Sequence, residues 1–365
     1  MIFERSLQRE LAYTAGAVFM VLLTLVLTTM MIRIVGLAAS GEIDPRDVLV
    51  LIGLTVIGYL AIMLVATLFV SILFVLTRWY KDSEMVVWLA SGVSLTRFIK
   101  PIGIFATPII ILIMFFVFVG WPWSNQQSKL LRARFQQRDE VSLLAPGQFR
   151  ESAASHRVFF IEKMSPDQAR VENVFVTSTE NGKVNVVVSK TGHTETHKNG
   201  DRFVVLENGR RYDGEPGHPD FRIMEFERYG VKIQSQPVIN TPTTTGLPTL
   251  TLLRNPTNEN LAEFAWRAGL PLIAINLMLL AIPLAHQNPR RSRTINLVMA
   301  VLIYLTYSNL LNVVQAWIEQ GRMSFAVGLV ALHIIVAAIV VFIFWLRVRN
   351  RPLFTLAMFR RSQGA

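Results

Sequence analysis

Six stretches of this 365-residue chain carry no charged side chain over 22 residues or more. They lie between Glu10 and Arg33 (22 residues), Asp47 and Arg78 (30), Lys100 and Lys129 (28), Arg267 and Arg290 (22), Arg293 and Glu319 (25), and Arg322 and Arg347 (24). A helix needs about 20 predominantly apolar residues to cross a bilayer, so each stretch is long enough. Their presence accounts for a charged fraction of only 17%, against about 25% in soluble domains. A soluble enzyme is excluded. The fold class is an α-helical polytopic membrane protein with six transmembrane helices, three on each side of one polar insertion. The first stretch exceeds the apolar core of about 7–15 residues in a signal peptide, so a retained span is expected.

Charge orients the spans. With the N-terminus inside, the inner segments hold fourteen Lys and Arg, among them Arg5, Arg9, Arg78, Lys81, Arg97, Lys100, Arg290, Arg291 and Arg293. The short outer segments hold three: Arg33, Arg46 and Arg322. The positive-inside rule therefore predicts cytoplasmic termini and an external insertion. The tryptophans agree, since Trp121, Trp123, Trp266, Trp317 and Trp345 fall at span ends, where an apolar ring with a polar N–H is favoured. The net charge of +11 does not indicate nucleic acid, because the basic residues cluster beside the spans, and 17 basic and 15 acidic residues balance between Ser124 and Leu253.

Three segments follow: spans one to three over 1–123, an inserted domain over 124–253, and spans four to six with a basic tail over 254–365. The insertion reads as β-structure. Val184, Val186 and Val188 alternate with Lys183, Asn185 and Ser189, and similar runs occur at His156–Lys163, Val171–Thr179, Asp201–Glu207 and Phe221–Val231. Asn181-Gly182, Asn199-Gly200 and Asn208-Gly209 are expected as hairpin turns. A sandwich, jelly roll or barrel would fit this spacing. Thr241–Pro248, rich in Thr, Pro and Gly, reads as a linker back to the membrane.

Candidate chemistry is sparse. No cysteine is present, which excludes disulfides and thiolate metal sites. No Walker A, HExxH or Gly-x-Ser-x-Gly pattern occurs, so an enzyme is not expected. His193 and His197 would share a strand face, but a metal needs at least a third ligand, and a solvated hairpin is the simpler reading. The loop between spans two and three is more informative. Asp82-Ser83-Glu84 offers a helix start and Gly92 a stop, with Met85, Trp88 and Leu89 on one apolar face beside Glu84. Such a helix could lie under the membrane, or it could couple to a cytoplasmic partner through Glu84. Arg33 and Arg267 stand at outer span ends. Each could be a snorkelling anchor or a fork for a phosphorylated lipid headgroup.

These features together resemble the lipopolysaccharide export permeases of the LptF/LptG family. The resemblance is strongest in Leu261-Ala-Glu-Phe-Ala-Trp-Arg-Ala-Gly-Leu-Pro-Leu272 and its continuation to Ile282-Pro-Leu284. Arg290-Arg-Ser-Arg293, Val301–Leu311 and the loop Lys81–Ser94 also follow the family pattern, and Ile2-Phe-Glu-Arg-Ser-Leu-Gln-Arg-Glu10 is closer to the LptF branch than to LptG. The resemblance implies a β-jellyroll-like periplasmic insertion and an inner-membrane location. It implies partnership with an LptG-like paralogue, an LptB-like ATPase dimer and an LptC-like single-span protein, with lipopolysaccharide as cargo. ATP and Mg would be used by the ATPase, and this chain would hold no cofactor. Asp82, Ser83, Glu84, Met85, Trp88 and Gly92 would form the coupling helix, and Arg33 and Arg267 would face the headgroup.

Physical chemistry explains the need for such a machine. Exposing one twelve-carbon acyl chain to water costs about 10 kcal/mol at ~0.8 kcal/mol per CH₂. A multi-chain lipid must therefore move between apolar surfaces. Two other readings carry distinct expectations. A lipoprotein-releasing or FtsX-like permease would have four spans with its large domain after the first. A non-transporting scaffold would need neither six spans nor a docking loop.

Overall fold

The computed structural model describes the chain except residues 1, 41–42, 143–146, 153–156, 166–169, 181–182, 197–201, 215–220, 235–242, 286–292 and 349–365. Two compact units emerge: Met1–Met31, Ile52–Gln126 and Pro242–Ala365 form one, and Ile32–Leu51 with Gln127–Thr241 forms the other.

The first unit is helical, although helical residues 32–39, 48–51 and 127–142 are grouped with the second. Helices α1 (Ile2–Ala39), α2 (Val48–Lys81), α3 (Glu84–Ala90) and α4 (Ile99–Phe115) are followed by a π-helical segment, Phe116–Gly120, that runs directly into α5 (Trp121–Ser142). After the insertion come α6 (Thr249–Arg254), α7 (Asn258–Leu284), α8 (Arg293–Glu319) and α9 (Phe325–Val348). Six helical segments are long and apolar enough to cross a membrane, three before and three after the insertion. The polar residues from Ser124 onward continue the third of these as helix as far as Ser142, where β-structure was expected.

Helix α7 is the centre of this unit. Of its most apolar window 72% is buried, against 6% for α1, although α7 is the less hydropathic of the two. Its sequence explains this, because small and polar residues let neighbouring helices approach and bond. An added Cβ at Gly269 would lie 2.6 Å from a Leu311 methyl and 3.3 Å from His333 Nε2. Two turns on, Asn276 donates to the Tyr307 hydroxyl at 2.8 Å and to the His333 carbonyl at 3.2 Å, and the Tyr307 hydroxyl lies 2.8 Å from His333 Nδ1. This polar cluster ties α7, α8 and α9. Helix α7 also packs through Ile273, Leu277 and Ala281 into a core shared with Phe69, Ile72 and Leu76 of α2 and Ile102 and Ala106 of α4.

The second unit carries an antiparallel six-stranded sheet, as expected of an inserted β-domain. Strands β1 (Phe149–Ser152), β2 (Arg157–Met164), β3 (Arg170–Glu180), β4 (Lys183–Thr196), β5 (Arg202–Gly214) and β6 (Phe221–Gln234) pair strictly in sequence order. One face is apolar, with Phe159, Ile161, Val174, Val176, Val187 and Leu206 buried together. Glu180 pairs with Lys183, so β3 and β4 join across 181–182; that turn and the one expected at Asn199-Gly200 lie outside the described residues.

The third expected turn is not a turn. Asn208-Gly209 lies inside β5, with Asn208 at φ 51°, and β5 continues to Gly214. Asn173 does the same in β3 at φ 48°. The flanking pairs Val174↔Ser189↔Gly209 and Glu172↔Thr191↔Glu207 set both asparagines on one line across the sheet. The Ser189 hydroxyl sits in that line, 2.8 Å from the Thr191 carbonyl and 2.6 Å from that of Glu207. Buried positions consequently step by three across it, from Val171 to Val174 and from Ser189 to Gly192. Asparagine tolerates the left-handed conformation, and here that property bends a strand rather than reversing it.

Candidate functional site

Two polar clusters stand out in the helical unit. The first surrounds α3. Its N-cap, Ser83, is left-handed at φ 62°, and its side chain makes no capping bond, so the expected start signal works through the backbone alone. Val86 and Val87 donate to the Ser83 carbonyl at 3.1 and 3.3 Å. The expected stop is present. Gly92 at φ 86° donates to Leu89, and Val93 donates to Trp88, both at 3.1 Å, which is a Schellman closure.

Arg78 holds this helix against its neighbours. Its guanidinium lies 2.9 Å from Glu10 of α1, 3.5 Å from Glu84 and 3.8 Å from Asp82. The Trp79 indole donates to the same Glu10 carboxylate at 2.8 Å. The expected apolar face is divided: Met85 is fully buried in the core beside Trp79 and Phe98, and Trp88 is half-buried. Exposed apolar surface comes instead from Val86, Val87 and Leu89, with Glu84 also open to solvent. Neither Glu10 nor Arg78 was singled out in the sequence, because their pairing joins positions 68 apart.

The second cluster lies at the end of the unit that bears the insertion, and it changes the role of Arg267. This side chain is fully buried and spends all five N–H donors within the chain. Nε donates to Glu263 at 3.0 Å; Nη1 to the Leu247 carbonyl at 3.0 Å and the Thr249 hydroxyl at 2.9 Å; Nη2 to the carbonyls of Thr244 at 3.2 Å and Thr245 at 3.1 Å. Glu263 in turn accepts from the Trp121 indole at 3.0 Å and from Gln315 at 3.4 Å. Arg267 is therefore neither a snorkelling anchor nor a fork with donors left for a headgroup. The carbonyls that bury it come from a turn about twenty residues earlier, which no local pattern reveals.

Arg33 differs. It is exposed on α1, within the second unit. His193 is on β4, 3.0 Å from Glu207 and 3.9 Å from Glu195; His197 lies outside the described residues. Among the described residues no three His, Cys, Asp or Glu side chains gather as a metal site.

Six helical segments fit to span a membrane, an inserted antiparallel sheet and a stapled loop helix define a polytopic membrane protein with an inserted β-domain. Residues 5–346 match the family described as lipopolysaccharide export system permease LptF/LptG, and the chain belongs to that family. It is 30% identical over 311 residues to the lipopolysaccharide export system permease protein LptF of Escherichia coli K12, with 84% of each chain covered. The LptF of Shigella flexneri aligns with the same identity and coverage.

Proposed function

We propose that this chain is the LptF-type half of an ATP-driven permease pair that extracts lipopolysaccharide from the inner membrane and passes it to a periplasmic bridge. The observation that carries the reading is α3. Three apolar side chains, Val86, Val87 and Leu89, stand exposed on a helix held between charged residues, and Arg78 ties that helix to α1 and α2. Such a surface suits the groove of an LptB-like ATPase, and the ion pairs suit transfer of rigid-body movement. ATP and Mg belong to that subunit. The charge asymmetry supports cytoplasmic termini and a periplasmic sheet.

Other parts of the chain supply the remaining roles. The almost uncovered apolar span of α1 supports packing against an LptG-like paralogue and an LptC-like span. Arg33 supplies an exposed guanidinium for a phosphorylated headgroup. The apolar face of the sheet suits acyl chains, or a docked partner sheet.

The test is Val87→Arg in the chain co-expressed with its paralogue and ATPase. The expected result is normal insertion, no ATPase retained on purification, and no lipopolysaccharide released from proteoliposomes. A variant that keeps the ATPase and exports normally overturns the assignment.

A further inference from the structure

The turn 244–249 has the composition of a flexible linker, yet it is held by a network of hydrogen bonds. Within it Leu247 N–H donates to the Thr244 carbonyl at 3.3 Å, and Gly246 N–H donates to that of Thr243, just ahead of it, at 2.7 Å. Three of its carbonyls converge on the single guanidinium of Arg267. The Thr249 hydroxyl accepts from Arg267 and donates at 2.8 Å to the carbonyl of Phe118, within the π-helical segment Phe116–Gly120. Glu263 extends the network to Trp121 of α5 and Gln315 of α8. One buried ion pair thus joins this turn to the third, fourth and fifth spans.

We infer that Arg267 and Glu263 are positioning residues for export: they clamp turn 244–249 onto these three spans, so that the turn moves with the spans instead of yielding as a soft linker. The inference rests on the export reading above. A buried ion pair is a poor device for stability, because desolvation offsets most of its attraction, whereas it fixes geometry well. The choice of arginine fits the same purpose. Five planar donors meet five acceptors here, and an ammonium with three donors could not replace them.

The test uses a second feature of the same turn. A Cβ added at Gly246 would lie 3.6 Å from the Gln126 Cβ at the start of α5, within the ~3.5–4.5 Å spacing of disulfides. The chain has no cysteine of its own, so Gly246→Cys with Gln126→Cys gives one defined cross-link. The clamp is removed by Glu263→Gln with Arg267→Met, which leaves no lone buried charge.

In the reconstituted complex, lipopolysaccharide released per ATP hydrolysed should fall about tenfold in the clamp-less variant, since small misplacements are costly in positioned systems. ATPase turnover should stay near that of the unmodified complex. Oxidising the cysteine pair in that background should restore release, and dithiothreitol should abolish it again. Arg267→Lys, which keeps the charge, should show the same loss and the same rescue. Release that the cross-link fails to restore, or that neither variant lowers, overturns the inference. An unmodified complex that hydrolyses ATP but releases no lipopolysaccharide overturns instead the export reading beneath it.

Discussion

The indole of Trp121 donates to the carboxylate of Glu263 at 3.0 Å, joining residues 142 positions apart across the whole β-insertion. Their rings and charges close one end of the helical unit, where Trp121 also packs on Trp266 at 4.9 Å between centroids. The other end is closed by Arg78 and Glu10. Networks of polar side chains thus lie at these two ends and in one central cluster around Asn276, with a largely apolar core between them.

Reversal of charge at the loop helix should separate ATP hydrolysis from transport. Glu84 lies 3.5 Å from Arg78, so Glu84→Arg sets two guanidinium groups against each other and pushes α3 from its seat. The expected outcome is normal insertion with export lowered about tenfold, as one turn of a coupling element is misplaced. ATPase activity and lipopolysaccharide release measured on the same proteoliposomes check it. Equal export by the variant would count against the role of α3.

Arg33→Ala should weaken cargo retention without changing stability. The side chain is exposed, so its loss leaves nothing buried unpaired. Lipopolysaccharide co-purifying with the complex should drop about threefold, in line with one partly solvated charge-assisted contact. Arg33→Lys should recover part of the loss, and thermal unfolding should be unchanged in both. Retention at the original level by Arg33→Ala would exclude a headgroup role.

Much of the fold is legible in the amino-acid sequence. Six spans follow from charge-free length, and five of the strands follow from alternation, because both are local consequences of burial. What escaped reading depends on distant partners. Arg267 at a span edge looks like an interfacial charge until the carbonyls of Thr244, Thr245 and Leu247 are brought over it. The pair Asn208-Gly209 matches a hairpin turn because the backbone preference of asparagine is the same in a bend as in a turn. At the loop helix, Glu84, Gly92 and an inward Met85 could be read, whereas the exposure of Leu89 and the ties of Arg78 to Glu10 could not.

Gly269→Val should destabilise the second half of the helical unit. The added atoms would enter space held by Leu311 and His333. Overpacking of this kind costs about 1–3 kcal/mol, so detergent-solubilised protein should unfold at lower temperature. Gly269→Ala should lie between the two. An unchanged unfolding temperature for the valine variant would mean that α7 and α8 can separate freely.

Asn208→Val should loosen the sheet, because a β-branched residue is strained at φ 51°. The cost is expected at about 1–3 kcal/mol. Asn208→Gly should be tolerated, since glycine has no Cβ to clash there. Hydrogen exchange of β4 and β5 amides reads the difference directly. Equal protection in both variants would contradict the bent-strand description.

The order of the strands bears on how this chain is made. Every described strand pairs only with the one before it and the one after it. Contacts of such short sequence separation incur little loop-closure entropy and form early. The sheet can therefore zip up strand by strand during synthesis, before α7 has been inserted. The bond from Trp121 to Glu263 must wait for the whole sheet to pass. Truncation anywhere after Gln234 should leave the strands paired, while the helical half remains unfinished.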